Sequence, residues 1–404
     1  ERIVDRLAAE LEMDPAELRL KNLLRPEQFP YMSPTGWEYD SGDYEKTMRV
    51  AMDIAGYDEL RKEQAEKRAR GELMGIGISF FTEGVGAGPR KHMDILGLSM
   101  NDGADLRVHP SGKAVVSISA QTQGQGHETT FAQIVAGRLG IDIANVEVVH
   151  GDTGRIPFGM GTYGSRSLSV GGTAIVKALD KVIAKGKKIA AHLLEAAEGD
   201  IEFKDGKFTV KGTDKSIDFG SVATNAYLAH KFNGQELEPG LKESAFWDPK
   251  NFTYPAGVHI CELEIDPETG VVTIDRWTAV DDFGKLINPM IVEGQVHGGL
   301  AQGIGQALLE GTVYDKSGQL VTASFMDYAM PRADDFPMFN IDTICTPCSH
   351  NPLGTKGCGE AGAIGSPPAV INAVLDALRD LGVKDFDMPA SPHRVWEAIQ
   401  KAKS

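Results

Sequence analysis

The stretch that most constrains this chain is Lys356-Gly357-Cys358-Gly359-Glu360-Ala361-Gly362-Ala363-Ile364-Gly365-Ser366-Pro367-Pro368, which opens into an apolar segment, Ala369 to Leu381. Glycines at this density let backbone come close to a bound group. Ser366 reads as an N-cap with Pro367 at the first helical position, so a helix is expected from there to Leu381. Loop N–H groups beside a helix N-terminus favour an anionic ligand. Glu360 sits oddly in such a loop, because a carboxylate repels an anion unless its task is to take a proton. The plain alternative is a solvated loop glutamate.

Charge narrows the partners. With 57 acidic against 41 basic residues the formal charge is −16, which argues against nucleic acid or an anionic membrane surface. No run approaches the ~20 apolar residues of a membrane-spanning helix, and no signal-peptide pattern opens the chain. A cytoplasmic protein is expected. The four cysteines, Cys261, Cys345, Cys348 and Cys358, fit a reducing compartment. Cys345-x-x-Cys348-x-His350 is a weak zinc signal without a second pair at matching spacing, so no protein metal ligand is assigned. Nothing suits an iron–sulfur centre. The chain starts at Glu1 inside a helical pattern (Ile3, Leu7, Leu11), as expected of a portion of something longer.

Periodicity divides the rest. Helices are expected up to Glu12 and from Asp14-Pro15, then a charged helix over 43–73. From Gly75 alternation takes over: Ile76 to Phe80, then strands over Leu98 to Val108, Ala114 to Ser119 and Val146 to His150, with helices Glu128 to Leu139 and Ser169 to Glu198. A hairpin around Asp266-Pro267-Glu268-Thr269-Gly270 opens the second half. It is followed by a helix over Ile291 to Leu309 and strands near Leu320 to Phe325 and Phe339 to Cys345. The expected fold is α+β, mixed α/β layers: two related units of mixed sheet with helices packed on one side, at 75–252 and 253–404, after a helical lead-in at 1–74.

Three further stretches carry chemistry. Gln121-Thr122-Gln123-Gly124-Gln125-Gly126-His127, between a strand and a helix, offers amide donors and acceptors to a polar ligand; His127 alone is more often structural. Gly159-Met160-Gly161-Thr162-Tyr163-Gly164-Ser165-Arg166-Ser167 contains G-x-G-x-x-G in a poor dinucleotide context, but its hydroxyls and arginine ahead of a helix suit phosphate. Glu293-Gly294-Gln295 begins a helix with glycines at 294, 298, 299, 303 and 305, each costing ~1 kcal/mol against alanine. These point to close packing against a second backbone or a ligand.

Together these motifs, in this order, resemble the molybdenum-binding subunit of the xanthine dehydrogenase/aldehyde oxidase superfamily, the molybdenum hydroxylases. Within it they most resemble the branch related to the large subunit of aerobic carbon monoxide dehydrogenase. The resemblance runs over nearly the whole chain, to Pro392-His393-Arg394-Val395-Trp396. It implies a molybdopterin cofactor, in bacterial members the cytosine dinucleotide, whose dithiolene holds the metal. Gln125 is similar to the glutamine beside the molybdenum, Gln295 to the one near the pterin. Gly124, Gly126 and His127 complete the first loop. Gly161, Thr162, Tyr163, Gly164, Ser165 and Arg166, with Lys356, Gly357, Cys358 and Gly359, would hold pterin and pyrophosphate through backbone N–H and side-chain donors. Glu360 takes the place of the family's general base, which removes a proton from water-derived hydroxide as it attacks an electron-poor carbon.

The resemblance also implies partners: the N-terminal half of the subunit, separate iron–sulfur and FAD chains, and a dimer of heteromers. By the same resemblance the copper-bearing cysteine of true carbon monoxide dehydrogenases belongs to that other half, so these residues carry no claim to carbon monoxide oxidation. Two other readings stay open, a cofactor-free scaffold or assembly fragment and a nicotinamide-dependent dehydrogenase.

Overall fold

The computed structural model describes residues 1–86, 99–228 and 237–404. The start expected at Leu98 lies outside these residues. Four helices open the chain: α1 (Arg2–Glu10), α2 (Pro15–Asn22), α3 (Tyr44–Ala55) and α4 (Tyr57–Ala69). Asp14 caps α2 by accepting from the N–H groups of Ala16 and Glu17. The single helix expected over 43–73 is two, because Gly56, at φ 63°, closes α3 in the left-handed conformation.

The first sheet has the spatial order β8 (Leu241–Trp247), β2 (Asp102–Val108), β3 (Ala114–Ile118), β4 (Val146–Val149), with the last pair parallel. Helices α5 (His127–Leu139), α6 (Thr173–Leu193) and α7 (Phe219–Leu228) cover it, burying Phe131, Val135, Leu179 and Val182 against Leu106, Val116 and Ile118. Strands β5 (Ile201–Lys204), β6 (Lys207–Val210) and β7 (Ser216–Asp218) form a small antiparallel sheet beside it. The helix expected from Ser169 begins instead as a π-helical turn, Ser167–Gly172.

The second sheet runs β11 (Phe339–Ile344), β10 (Val272–Asp282), β9 (Ala256–Ile265), β1 (Leu73–Thr82). Helices α8 (Pro289–Leu308) and α9 (Ala361–Ala377) pack on one face; Met48, Ala51, Tyr57 and Leu60 of the lead-in meet Met74, Ile76 and Ile78 on the other. Thus β1 joins the sheet of 256–344 rather than that of its sequence neighbours. The chain closes with α10 (Pro392–Lys403).

Two expectations give way here. No strand forms over 320–325, where Phe325 is 84% exposed. And α9 begins at Ala361, with Glu360 at its N-cap and Pro367 and Pro368 inside the helix. Interior prolines ordinarily cost ~3 kcal/mol or more. The early start is held by packing: a Cβ on Gly362 would fall 2.6 Å from the Val296 carbonyl oxygen of α8, and one on Gly299 would fall 2.9 Å from Gly362 Cα. Ser366 does not cap; its hydroxyl donates to the Gly362 carbonyl at 2.6 Å. The α8 glycines therefore split by role. Gly299 and Gly303 admit α9, whereas Gly294 and Gly298 face open space on the side of Gln295.

Candidate active site

Each glycine-bearing loop hangs between a sheet and the helix it feeds, and the loops are stitched to one another. The Gln121 N–H donates to Thr162 Oγ1 at 3.0 Å, and that hydroxyl donates to the Gln121 carbonyl at 2.6 Å. A Cβ on Gly126 would meet Ile291 Cδ1 at 2.7 Å, so the first loop rests on the start of α8. A Cβ on Gly357 would strike the Ser165 carbonyl oxygen at 2.2 Å; one on Gly359 would sit 3.6 Å from Ser165 Oγ and 4.0 Å from Gln295 Oε1. Residues 121–127, 161–167, Gln295 and 356–360 thus share one neighbourhood.

The two loop cations point away from it. Arg166, fully buried, lies 3.0 Å from Asp102 Oδ2 and donates to the carbonyls of Gly161 (2.7 Å) and Met100 (2.5 Å). Lys356, 1% exposed, donates to Asp282 Oδ2 (3.1 Å), Thr346 Oγ1 (2.9 Å) and the Ser41 carbonyl (3.2 Å). The side-chain donors read from sequence as phosphate ligands are spent on shaping the loops from beneath. The N–H groups of Thr162, Tyr163, Gly164, Gly357, Cys358 and Gly359 meet no acceptor among the described residues. Such rows of N–H groups form an anion-binding concavity.

The remaining side chains divide the labour. Gln125 braces its own loop, its Oε1 accepting from Thr122 Oγ1 at 3.3 Å and from the Gln123 N–H. His127 opens α5 and stacks on Phe131 at 5.1 Å; burial pushes its imidazole down to about 4, so it is neutral. Tyr163 is exposed, with the Arg166 guanidinium 5.4 Å from its ring centre. Cys358 is partly buried, and burial pushes its thiol up to about 12, which makes it an unreactive lining group.

Glu360 is exposed and clamped by Ser165, whose hydroxyl donates to Glu360 Oε2 at 3.0 Å and accepts from the Glu360 N–H at 3.1 Å. Sequence reasoning missed its other neighbour. Glu83, just after β1, brings its carboxyl against that of Glu360; burial first, then the Glu360 charge, pushes it up to about 8. The one signal was an acid flanked by glycine, Thr82-Glu83-Gly84-Val85-Gly86, echoing Gly359-Glu360. Also missed were Asp102 and Asp282, the buried anchors of the two cations.

The Cys345-x-x-Cys348-x-His350 stretch splits in the fold. Cys345 is exposed, while Cys348 and His350 gather with Asp40, their ligand-capable atoms within 4.8 Å of one another. His350 Nε2 lies 2.9 Å from the Phe252 carbonyl, and the Ser349 N–H donates to Asp40 Oδ2 at 2.8 Å. A separate cavity of about 1410 Å³, lined by Glu1, Arg2, Phe81, Ile364 and Asp376 among others, touches none of the candidate site residues.

The architecture so far defines an α+β protein in which four glycine-bearing segments meet beside the Glu83 and Glu360 carboxyls. Residues 50–337 match the family model of the molybdopterin cofactor-binding domain. The chain is 47% identical over 403 residues to the carbon monoxide dehydrogenase large chain of Afipia carboxidovorans, covering 98% of this chain and 50% of that protein. It is 36% identical over 403 residues to the nicotine 6-hydroxylase large subunit of Paenarthrobacter nicotinovorans, covering 99% and 49%. The crystal structure of the Cu,Mo-CO dehydrogenase superposes with a TM-score of 0.96 at 46% identity, over 100% of this chain and 51% of that one. The chain belongs to the molybdopterin cofactor-binding family, and it spans about half the length of the curated relatives it matches.

Proposed function

We propose that this chain is the C-terminal part of the catalytic subunit of a molybdenum-dependent hydroxylase. It acts on an electron-poor carbon of a small substrate (an N-heterocycle, an aldehyde or similar), inserting water-derived oxygen with Glu360 as general base. The observation that carries this reading is the meeting of Ser165, Gln295, Gly359 and Glu360 in one neighbourhood, from segments far apart in sequence. The relative that hydroxylates nicotine supports the heterocycle class.

The residues fit a molybdopterin cofactor. The Gly359 position is open but for Ser165 Oγ and Gln295 Oε1, the loop N–H groups that meet no acceptor among the described residues suit pterin and pyrophosphate, and no protein metal ligand is required. We assign the cytosine dinucleotide form, held by Gly124–His127, Gly161–Arg166, Gln295 and Lys356–Gly359, with Arg166 and Lys356 acting through loop shape. When bound, the cofactor supplies the two-electron oxidation. The chain's own part is to orient the Glu360 carboxylate through Ser165 and to let it take a proton at Oε1 or Oε2. A base within hydrogen-bond reach of its proton contributes about 10²–10⁴-fold.

The proposal extends to a helical lead-in at 1–74 and two cofactor-binding units at 75–252 and 253–404, with β1 pairing into the second. The partners are the other half of the subunit and separate iron–sulfur and FAD chains, in a cytoplasmic dimer of heteromers. No helix among the described residues is long and apolar enough to cross a membrane. The test is molybdenum and pterin analysis of the chain purified with its other half and redox partners. About one molybdenum per chain is expected; metal-free complexes favour a scaffold role and overturn the reading.

A further inference from the structure

Glu83 is placed by backbone on both sides. Its N–H donates to the Pro255 carbonyl at 3.0 Å, Val85 exchanges two bonds of 2.9 Å with Thr253, and the Gly86 N–H donates to the Gly164 carbonyl at 3.1 Å. This segment therefore bridges β9 to the loop that carries Ser165. A Cβ on Gly357 would fall 2.9 Å from Val85 Cγ2, so the segment lies against the 357–360 loop; there the Glu83 carboxyl faces Glu360, whose charge, after burial, pushes it up, and its Oε2 is buried and meets no donor among the described residues. Two carboxylates in contact with no cation between them cannot both be ionised; they hold one proton in common.

We propose that Glu83 is a positioning residue of the Glu360 site: it keeps the proton of a carboxyl–carboxylate pair and donates it as a hydrogen bond to Glu360. This rests on the reading of Glu360 as the base. The division of roles follows from environment. Glu83 is the more enclosed of the two and Glu360 the exposed one, so the shared proton belongs on Glu83. Ser165 Oγ grips Glu360 Oε2, so that hydroxyl and Glu83 hold the base from two directions and fix it in angle. The other titratable groups on this face are Cys358 and, behind it, Asp281; after burial, Asp281 and Glu83 both push the Cys358 thiol up, so it stays protonated, and among the described residues Glu360 is the charge that acts on Glu83. Above the range in which Glu83 holds its proton, near 8, the donor is lost and a second negative charge faces the base.

The experiment uses the assembled enzyme with its cofactor and compares wild type, Glu83→Gln, Glu83→Ala and Glu360→Gln. Molybdenum content, kcat and KM are followed from acid to alkaline pH. Glu83→Gln, which keeps a donor and cannot ionise, is expected to retain turnover within about tenfold and to lose the alkaline fall near pH 8 seen in wild type. Glu83→Ala is expected to lower kcat by about 10²-fold at unchanged KM and molybdenum content, the scale of a misplaced catalytic group. A protonated-carboxyl infrared band at neutral pH should be present in wild type and missing from Glu83→Gln. An unchanged alkaline limb and an unchanged infrared band in Glu83→Gln overturn the proposal, and so does wild-type kcat in Glu83→Ala. Glu360→Gln separates the two levels. Full turnover there removes the base assignment itself, whereas lost turnover there with an indifferent Glu83 removes only the positioning role.

Discussion

Gly357 admits no side chain, because a Cβ would lie 2.2 Å from the Ser165 carbonyl and 2.9 Å from Val85 Cγ2. Gly357→Ala should therefore push the 356–360 loop off Ser165. We expect a loss of about 1–3 kcal/mol, the usual cost of overpacking, with reduced molybdenum content; a wild-type urea midpoint and full metal would contradict this. Glycine crowding around Glu360 marked a close approach of backbones before any coordinates, and the structure packs Gly357 on Ser165 and Gly362 on Val296. The inward turn of Arg166 and Lys356 was not legible. Which way a long cation points depends on a buried acid, and Asp102 and Asp282 lie 64 and 74 positions away in the chain. Glu83 stayed hidden for the same reason: its meaning comes from what β1 is packed beside.

At the scale of elements, the loops at 161–167 and 356–360 are each pinned by one buried ion pair, Arg166 with Asp102 and Lys356 with Asp282. Removing one partner leaves a charge uncompensated in the interior, at a cost of about 3–5 kcal/mol. Lys356→Met should show that loss in urea denaturation, and adding Asp282→Asn should restore part of it; additive losses would count against the pair. The start of α5 makes a pH prediction. Burial holds the His127 imidazole neutral, pushed from 6.5 to about 4. Between those values the unfolded chain binds a proton that the fold does not, so stability falls as pH drops through that window. His127→Phe, which keeps the stack on Phe131, should flatten that slope; an unaltered slope would refute the assignment. Strand alternation and most helix spans were legible, because those patterns are local. The early start of α9 was not, because glycine-to-glycine contact between two helices outweighs the local preference of Ser366-Pro367 for a cap.

Across the whole molecule, the lead-in helices are tied to the second sheet by Asp376 on α9. Its carboxylate accepts from Gln64 Nε2 at 2.6 Å and the Ile76 N–H at 2.9 Å, and lies within 3.3 Å of Arg61 and 2.9 Å of Arg68. Burial opposes its charge, yet the two guanidiniums hold the carboxyl below the usual range. Asp376→Ala should loosen α4 and speed protease cleavage within 57–69, with a loss of about 3–5 kcal/mol; unchanged cleavage would show that the apolar face of the lead-in suffices. The central claim is that a backbone cradle for the cofactor and a single base meet at the head of α9. The most direct test is turnover and molybdenum content of Glu360→Gln in the assembled enzyme. The account predicts full metal with turnover down by at least about 10²-fold; wild-type turnover with full metal would contradict it.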